Sequence, residues 1–337
     1  MADPERRAAA EASFRVFCET YFTASFSLAW SQDHLKVIAR IEQAVLRGGL
    51  FALAMPRGSG KTTLCECACI WAVLCGHRSF VCLIGAEAGH ASEMLESIKT
   101  ELETNDSLVE DFPEVCYPIA RLEGIANRAN GQLCDGEQTR IDWTADQIVL
   151  PTIKGSKAGG AILKVAGITG RIRGMKHKRA DGRAVRPDLV VIDDPQTDES
   201  ARSRSQCAAR EAILAGAVLG LSGPGKRIAG VMPCTVIRAG DVADRMLDSK
   251  LHPEWDGSRF RLMYQFPTNE ELWGRYKEIA IAFNPSIPGD KERAEKEATE
   301  FYRSNREAMD VGAVIAWPER YEKGELSAIQ HAMTSGA

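Results

Sequence analysis

The chain has 337 residues, of which 45% are apolar and 26% charged, and its net charge is −4. This composition is typical of a globular protein with one large domain or two smaller ones. Its longest apolar runs, such as Ala68 to Cys75, are far shorter than the roughly 18 to 20 residues of a membrane helix, so a membrane protein is not expected. The near-neutral charge excludes a basic footprint for nucleic acid over the whole surface, so any DNA contact must be local.

The N-terminus and the ten cysteines give expectations about the compartment. No apolar core of a signal peptide follows the first residues, Met-Ala-Asp-Pro-Glu-Arg-Arg, so we expect the chain to stay in a reducing cytosol with free thiols. The cysteines do not form two CxxC pairs with histidines in range of a metal. Cys65 and Cys69 share one helix face, where a buried apolar role is favoured over a metal site.

Short apolar runs alternate with helical segments, which is typical of an α/β fold with a mostly parallel sheet flanked by helices. We predict an N-terminal helical segment over residues 1–48, a core over 49–266 and a helical subdomain over 267–337. The predicted strands are Leu50–Met55, Ser79–Ile84, Leu189–Ile192, Arg227–Met232 and Phe260–Gln265. The predicted helices between them are Lys61 to about Cys75, Ala88 to about Glu103, and Ala201 to about Leu219.

The first strand leads into a glycine loop with a lysine and a hydroxyl residue at the start of a helix. Backbone N–H groups of such a loop converge on phosphate oxygens, and the helix N-terminus adds the positive end of its dipole. Lys61 would reach the β- and γ-phosphates, and the Thr62 hydroxyl would ligate Mg²⁺. The predicted nucleotide-binding residues are Pro56, Arg57, Gly58, Ser59, Gly60, Lys61, Thr62 and Thr63.

One position departs from the usual form of this loop. Met55 stands where the first glycine is expected, and Arg57 adds a charge inside the loop that could reach a terminal phosphate. An incidental glycine turn is the alternative interpretation. A second Gly-Lys pair, in Gly223-Pro-Gly-Lys-Arg227, lacks the hydroxyl residue and leads into a strand, so it is predicted to be a turn.

The stretch from about Gln147 to Arg173 does not continue the alternation of strands and helices. Two β-rich runs, Ile148–Leu150 and Ala161–Leu163, flank a segment rich in Gly and Ser, which predicts an antiparallel hairpin at the edge of the sheet.

Residues 167–186 then carry seven Lys or Arg against one Asp. This density favours a surface that contacts phosphates, or an arginine that reaches the γ-phosphate of a neighbouring subunit. A solvated loop is the alternative, and His177 is predicted to be a surface residue rather than a ligand.

The segment Arg186-Pro-Asp-Leu-Val-Val-Ile-Asp-Asp-Pro195 predicts a buried parallel strand that ends in two carboxylates. The carboxyl end of such a strand is where α/β sheets bind their ligands. Asp193 would hold Mg²⁺ through water, and Asp194 would polarise the attacking water. Many ATPases have Glu at the second position; Asp is one methylene shorter, so the water must lie closer to the backbone. A solvated turn is the alternative.

From about Pro267 the chain carries more acidic than basic side chains. Asp290 is a plausible N-cap for a helix, because apolar residues follow it at roughly helical spacing. These residues are Ala294, Ala298, Phe301, Tyr302, Ala308 and Met309. A second helix-like segment, Gly324–Met333, is predicted near Ala337.

Taken in order, the loop at 56–63, a hairpin running into Ile172-Arg-Gly174, and the acidic strand 186–194 resemble the ATPase domain of tailed-bacteriophage terminase large subunits. Further similar segments make the resemblance cover nearly the whole chain. They are Phe17–Phe22, Ser31-Gln-Asp-His34, Leu272–Tyr276, Phe301–Arg306, Ala316–Pro318 and Gly324–Ser327.

The resemblance implies a P-loop NTPase of the additional-strand catalytic-carboxylate type, with residues 267–337 as a small C-terminal helical lid or linker subdomain. Residues 1–48 would lead to the adenine pocket, where Gln32 and Trp30 either line the adenine or pack. The implied catalytic residues are Asp194, Lys61, Arg57 and Arg173, and the implied metal residues are Thr62 and Asp193. Arg173 would be a finger that acts in trans, with Arg171 as the second candidate. Thr235 would be the coupling residue, although Cys234 beside it departs from the family pattern.

As to activity, the resemblance implies a DNA-stimulated ATP hydrolase that moves double-stranded DNA into a viral capsid, with ATP and Mg²⁺ as cofactors. The implied partners are double-stranded DNA, the capsid portal protein, the small terminase subunit and further copies of this chain in a ring, with no membrane. The implied location is the cytoplasm of the infected bacterial host. A nuclease domain of the ribonuclease H type normally follows in this family, so nuclease activity is expected only in a longer protein.

Two other interpretations remain open at the level of the sequence. A helicase-like nucleic-acid remodelling ATPase would need a second ATPase-like lobe, for which residues 267–337 are too few. A nucleotide-gated scaffold with slow hydrolysis is kept open by Asp194, which stands where many ATPases have Glu.

Overall fold

The computed structural model describes residues 1–170, 172–179 and 182–335. The chain forms two compact units. Unit 1 contains residues Met1–Phe26 and Val37–Phe260, and unit 2 contains Ser27–Lys36 and the chain from Arg261 onward. Among the described residues, no helix combines the length and apolar character that crossing a bilayer requires.

The strands of unit 1 are β1 (Leu50–Ala54), β2 (Phe80–Gly85), β3 (Leu133–Cys134), β4 (Glu137–Gln138), β5 (Asp142–Trp143), β6 (Gln147–Val149), β7 (Ile162–Gly167), β8 (His177–Lys178), β9 (Ala184–Val185), β10 (Leu189–Asp193), β11 (Ala229–Cys234) and β12 (Asp256–Arg259). Eight of them form one sheet in the order β12-β1-β11-β10-β2-β7-β6-β5. The first six of that order run parallel, and β6 and β5 are antiparallel. The predicted α/β class with a mostly parallel sheet is confirmed.

The α-helices up to residue 246 are α1 (Pro4–Ala12), α2 (Phe14–Tyr21), α3 (Gln32–Arg47), α4 (Lys61–Leu74), α5 (Ala88–Thr104), α6 (Asp106–Asp111), α7 (Pro113–Ala120), α8 (Asp198–Arg202), α9 (Arg204–Ala212) and α10 (Val242–Met246). A 3₁₀ turn covers Ala126–Ala129, and a π-helical segment, Ile213–Val218, continues α9. Helix α3 crosses the division between the units after Lys36.

The central strands are apolar on both faces because helices cover the sheet on both sides. Every residue of β2 and of β10 is buried. On one face, alternate residues such as Ile84 and Ile192 pack in a core with Leu214 and the fully buried Trp255. Helix α4 contacts β2, β10 and β11, and eleven of its residues are buried. This near-complete burial explains why α4 is apolar almost all round rather than amphipathic.

The cysteines contribute to this interior. All ten lie within the described residues and are free, and all except the half-buried Cys134 are buried. The three on α4, at positions 65, 67 and 69, are each at most 1% exposed. Burial raises the pKa of the Cys65 thiol well above its ordinary value, so the side chain stays neutral and packs as a small apolar group.

The predicted hairpin is confirmed in unit 1, where β6 pairs antiparallel with β7 and Ile148 lies opposite Leu163. The outermost strand, however, is the two-residue β5, which pairs with β6. Residues 223–227 form the predicted turn. Within the basic segment, β8 and β9 form a short antiparallel hairpin of their own.

The predicted strand Phe260–Gln265 is confirmed only for Met263–Gln265, which pairs antiparallel with Val314–Ile315 and does not belong to the large sheet. The strand beside β1 is Asp256–Arg259, whose polar sequence gives no apolar signal because it lies at the sheet edge. The predicted helix Ala201–Leu219 is wrong as a single element. The chain leaves helical geometry at Ser203 (φ −100°, ψ 111°), which ends α8 and caps α9 by accepting a bond from the N–H of Gln206.

Unit 2 contains a helical pair and a small sheet. Its elements beyond residue 261 are β13 (Met263–Gln265), α11 (Glu270–Ile281), α12 (Asp290–Asp310), β14 (Val314–Ile315) and α13 (Ala328–Thr334). Helices α11 and α12 pack through Trp273, Tyr276, Ala298, Tyr302 and Met309, and β13 pairs antiparallel with β14.

Two helix starts in unit 2 differ from the prediction. The N-cap of α12 is Gly289 (φ 81°) rather than Asp290, whose carboxylate instead accepts bonds from the N–H of Asn284 and from Arg293. The helix near the end of the chain begins at Ala328 rather than Gly324, because Ser327 caps it by accepting from the N–H of Gln330.

Strands β2 and β7 both end in a glycine, and Gly85 lies opposite Gly167 in the sheet. The start of α5 crosses these two ends at close range. A Cβ built on Gly167 would lie 2.5 Å from the backbone nitrogen of Ala88. The absence of a side chain at Gly167 therefore lets α5 begin directly above the sheet edge.

We predict that Gly167→Ala lowers the free energy of unfolding by about 1–3 kcal/mol, because the new methyl group must displace the backbone of α5. Chemical denaturation of both proteins measures this difference. Gly89→Ala is the matched control, since a Cβ there meets nothing within 4 Å and the residue lies in α5. The control should be neutral or stabilising by up to about 1 kcal/mol. Equal stability of Gly167→Ala and the wild type would contradict the close approach.

Candidate functional site

The candidate site lies where four parallel strands end side by side. Strands β1, β11, β10 and β2 are neighbours in the sheet, and the segments that follow them leave from the same edge. This is the carboxyl edge, at which open α/β sheets bind ligands. The glycine loop follows β1, the paired carboxylates end β10, Thr235 follows β11, and α5 begins just after β2.

The loop after β1 turns sharply into α4. Gly58 and Gly60 have φ of 71° and 75°, a left-handed geometry that favours glycine, and Gly60 is the N-cap of α4. The Ser59 hydroxyl donates a bond to the Pro56 carbonyl at 2.7 Å, and the Lys61 ammonium lies 3.4 Å from the same oxygen. The loop is thus closed on itself in front of a 14-residue helix, whose dipole favours an anion at this end.

The Asp193 carboxylate is the centre of the site. It is 1% exposed, and its Oδ2 accepts a bond from the Thr62 hydroxyl at 2.7 Å. The His90 Nε2 atom lies 3.4 Å from the same oxygen, and the Cys65 thiol lies 3.9 Å from Oδ1. Burial raises the pKa of Asp193, and the charge of Asp194 raises it further, against the lowering effect of the Thr62 hydrogen bond.

Asp194 has a backbone geometry that is rare for a residue with a side chain. Its φ is 42°, in the left-handed region, and its N–H donates to the Pro233 carbonyl at 3.2 Å. Its two carboxylate oxygens accept from the backbone N–H of Thr235 at 2.6 Å and from the Thr235 hydroxyl at 3.3 Å. The Lys61 ammonium lies 3.8 Å from Oδ2. These contacts hold Asp194 in a strained geometry, of the kind that clusters at functional sites.

The chain after Asp194 is tied to its neighbours from both sides. The buried Gln196 side chain donates to the Thr235 carbonyl at 3.0 Å and accepts from the N–H of Val242 at 2.9 Å. The buried Arg210 guanidinium donates to the carbonyls of Ala86 and Pro195, at 3.0 and 2.9 Å. These bonds fix the ends of β2, β10 and β11 relative to one another.

Other predicted residues lie outside this cluster. Thr63 is half-buried on the first turn of α4. Arg57 is two-thirds exposed and forms an ion pair with Asp198. Arg173 is exposed, and its Nη2 is 3.9 Å from the position of a Cβ built on Gly216, in the π-helical segment. The ion pairs of Lys61 and Asp193 within the described residues are made with Asp194 and His90, and not with Arg173. The second candidate, Arg171, lies outside the described residues.

Gln32 and Trp30 belong to unit 2. Gln32 is the exposed first residue of α3. The Trp30 ring lies 5.8 Å from that of His34, which in turn lies edge-on to Trp317 at 4.4 Å. The prediction that Gln32 lines an adenine stays a prediction.

Three residues around Asp193 and Asp194 were not predicted from the sequence. They are His90, Glu66 and Arg210. Glu66 had a usable signal, since it lies one helical turn after Thr62 and therefore on the same face of α4. His90 and Arg210 had no such signal in the sequence, because their positions near the site depend on which strands are neighbours in the sheet.

Thr62 and Asp193 offer oxygen atoms of the kind that bind a divalent cation. Mg²⁺ prefers oxygen ligands and is usually held by one or two carboxylates together with phosphates and waters. The Thr62 hydroxyl and the Asp193 carboxylate supply two oxygens 2.7 Å apart in front of the loop, so the residues fit Mg²⁺. Over the described ranges, no group of three or more His, Cys, Asp or Glu side chains is arranged to hold a metal ion.

The sequence was compared with known proteins. Neither the scan against protein-family models nor the search of curated proteins found a match.

Glu66 gives the site a titrating group near neutral pH. Its pKa is raised from 4.5 to about 7, chiefly by burial and also by the charges of Asp193 and Glu101, against the lowering effect of a 3.1 Å bond from the Ser97 hydroxyl. The folded chain therefore binds this proton more tightly than the unfolded chain does. The resulting stabilisation is complete below pH 4.5 and is lost as the pH rises through about 7.

We predict that Glu66→Gln becomes more stable than the wild type as the pH rises from about 5 to about 8, by on the order of 1–3 kcal/mol. The amide cannot ionise, but it still accepts the bond from Ser97. Denaturant titrations at both pH values measure the difference. Glu93→Gln, at an exposed glutamate of α5, is the control and should differ little between the two. A Glu66→Gln difference that does not change with pH would refute the prediction.

Proposed function

We propose that this chain is the ATPase motor of a viral DNA-packaging terminase, which hydrolyses ATP to move double-stranded DNA into a capsid. The observation that carries the proposal is the 2.7 Å bond between Thr62 and Asp193. It joins the glycine loop to the acidic strand end, 131 residues further along the chain. A hydroxyl after the loop lysine and a carboxylate at the end of another strand of the same sheet are the two protein groups that hold Mg²⁺ in P-loop NTPases.

The order of the sheet supports the proposed subclass. Strand β11 lies between β1, which carries the loop, and β10, which carries the carboxylates. An inserted strand at this position is the feature for which the additional-strand class is named. The ordered motifs that resemble terminase large subunits support the choice of family within that class.

Binding of ATP would use the loop and the start of α4. Lys61 is 7% exposed, and its ammonium lies between the Pro56 carbonyl and the Asp194 carboxylate, so it is held close to the site of the phosphates. Thr62 and Asp193 would hold the Mg²⁺ ion. When bound, that ion neutralises charge on the phosphates. Arg57, from the same loop, would contact the terminal phosphate.

Asp194 would orient and deprotonate the attacking water. Its carboxylate is one-third exposed, so water reaches it, whereas Asp193 beside it is buried. Thr235 contacts both oxygens of Asp194 and follows directly on β11. A change in the bonds of Asp194 would therefore be transmitted to the end of β11, which is the role proposed for a coupling residue.

The remaining parts of the proposal rest on the basic segment and the resemblance. Arg173 is exposed, which suits a finger that completes the site of the next subunit in a ring. Lys176, Lys178, Arg183 and Arg186 are also exposed and suit contacts with DNA phosphates. The proposed setting is a ring on the capsid portal protein, with the small terminase subunit, in the cytoplasm of the bacterial host. A longer protein would add the nuclease.

A nucleotide-gated scaffold with slow hydrolysis is the second candidate. It is favoured by one observation: both oxygens of Asp194 already accept bonds from Thr235, so fewer of their lone pairs are left for the attacking water. The two candidates differ in turnover. A motor hydrolyses ATP repeatedly when DNA is present, whereas a scaffold binds ATP tightly with negligible turnover.

We predict that Lys61→Ala lowers DNA-stimulated ATP hydrolysis at least about 100-fold, because the β- and γ-phosphates lose their lysine. Steady-state phosphate release with linear double-stranded DNA measures the rate. Lys226→Ala is the matched control, because Lys226 belongs to the exposed second Gly-Lys pair and should keep the wild-type rate. Full activity of Lys61→Ala would contradict the site. Negligible turnover of the wild type with DNA would favour the scaffold.

We predict that Arg173→Ala and Asp193→Ala subunits are each inactive alone but regain activity when mixed. The Arg173→Ala subunit keeps an intact site, and the Asp193→Ala subunit supplies the arginine to it. Hydrolysis measured over a range of mixing ratios tests this. Mixing Arg173→Ala with the double variant Arg173→Ala/Asp193→Ala is the control and should restore nothing. No rescue at any ratio would argue against action in trans.

A further inference from the structure

Arg57, in the glycine loop, forms an ion pair with a residue that belongs to none of the sequence motifs. The Arg57 Nη2 atom donates to Asp198 Oδ1, and the two residues are 141 positions apart in the chain. Both side chains face solvent, with exposed fractions of 66% for Arg57 and 56% for Asp198. The pair therefore joins the nucleotide loop to the segment that follows the paired carboxylates.

Asp198 occupies a fixed position. It is the first residue of α8, whose start is held by a capping box in which Thr197 and Ser200 exchange bonds of 2.8 and 3.1 Å. The residues before it are anchored through Gln196 and through Arg210, which donates to the Pro195 carbonyl. The carboxylate of Asp198 is thus presented to the loop by a rigid frame.

Arg57 is the movable member of the pair. Its long side chain is mostly exposed, and the residue that follows it, Gly58, has a left-handed φ of 71°. An exposed ion pair contributes little net free energy, so it separates at small cost. A terminal phosphate carries more charge than a carboxylate and accepts two parallel bonds from a guanidinium, so it is the stronger acceptor for Arg57.

We propose that Asp198 holds Arg57 while the site contains no nucleotide and competes with the terminal phosphate for it. Asp198 would then be a positioning residue that sets the affinity for ATP. This inference rests on the proposed function, since it requires that the loop binds a nucleotide triphosphate. It adds that the affinity of the site is lowered by a residue outside the loop and outside the paired carboxylates.

The test is a double-mutant cycle read by equilibrium binding of MgATPγS in calorimetric titrations at low salt. Asp198→Asn should lower the Kd about two- to five-fold, which is the range expected for loss of an exposed ion pair. The same exchange in an Arg57→Gln background should leave the Kd unchanged, because the competing partner is already gone. Thermal melting of each variant checks that it is folded, and Asp198→Ser is the second variant at this position.

Glu199→Gln is the matched control, because it removes the same charge from the next residue in the first turn of α8. It should leave the Kd unchanged. Tighter binding by Glu199→Gln, or an effect of Asp198→Asn that persists without Arg57, would overturn the inference in favour of general repulsion of the nucleotide. Equal Kd values for Asp198→Asn and the wild type would overturn the inference alone. A wild type that does not bind MgATPγS would overturn the proposed function and this inference with it.

Discussion

The hydrogen bond from Thr62 to Asp193 is the contact on which the arrangement of the site depends. A carboxylate buried at the end of a central strand is costly unless its oxygens have donors, and the start of α4 supplies one. The contact therefore fixes where α4 begins relative to β10. That in turn fixes the loop before α4, and with it Lys61. His90 and the Cys65 thiol complete the surroundings of the same carboxylate from α5 and α4.

The two sides of the site differ in how firmly they are held. On the side of β10, Asp194 keeps a left-handed backbone because Thr235 and Pro233 bind it, and Gln196 and Arg210 tie the next residues to β11 and β2. On the side of β1, bonds to the Pro56 carbonyl close the loop on itself, but the Arg57 side chain is two-thirds exposed. A firmly held carboxylate frame thus faces a loop whose exposed arginine is held by a surface ion pair, which contributes little free energy.

The sequence predicted the parts of this structure that depend on neighbouring residues. A buried strand, a glycine loop and a helix start can be inferred together because their signals are consecutive, and β10 was marked by four apolar residues between charges. The residues that were missed depend on strand order. His90 reaches Asp193 only because β2 lies beside β10, and Arg210 reaches Ala86 for the same reason. Strand β12 was not predicted because it is polar and forms by pairing at the sheet edge. The break at Ser203 was not predicted because a side-chain cap, and not the apolar pattern, ends α8 there.

The two edges of the large sheet have a consequence for assembly. One edge is Asp256–Arg259, a polar strand in which Asp256 is bound by Arg40 at 3.1 Å, and the other is the two-residue strand Asp142–Trp143. Short or charged edges resist the addition of a strand from another molecule. The sheet is thus built to end within one chain. A second copy of the chain that associates with this domain would therefore have to recognise it by side chains rather than by extending the backbone ladder.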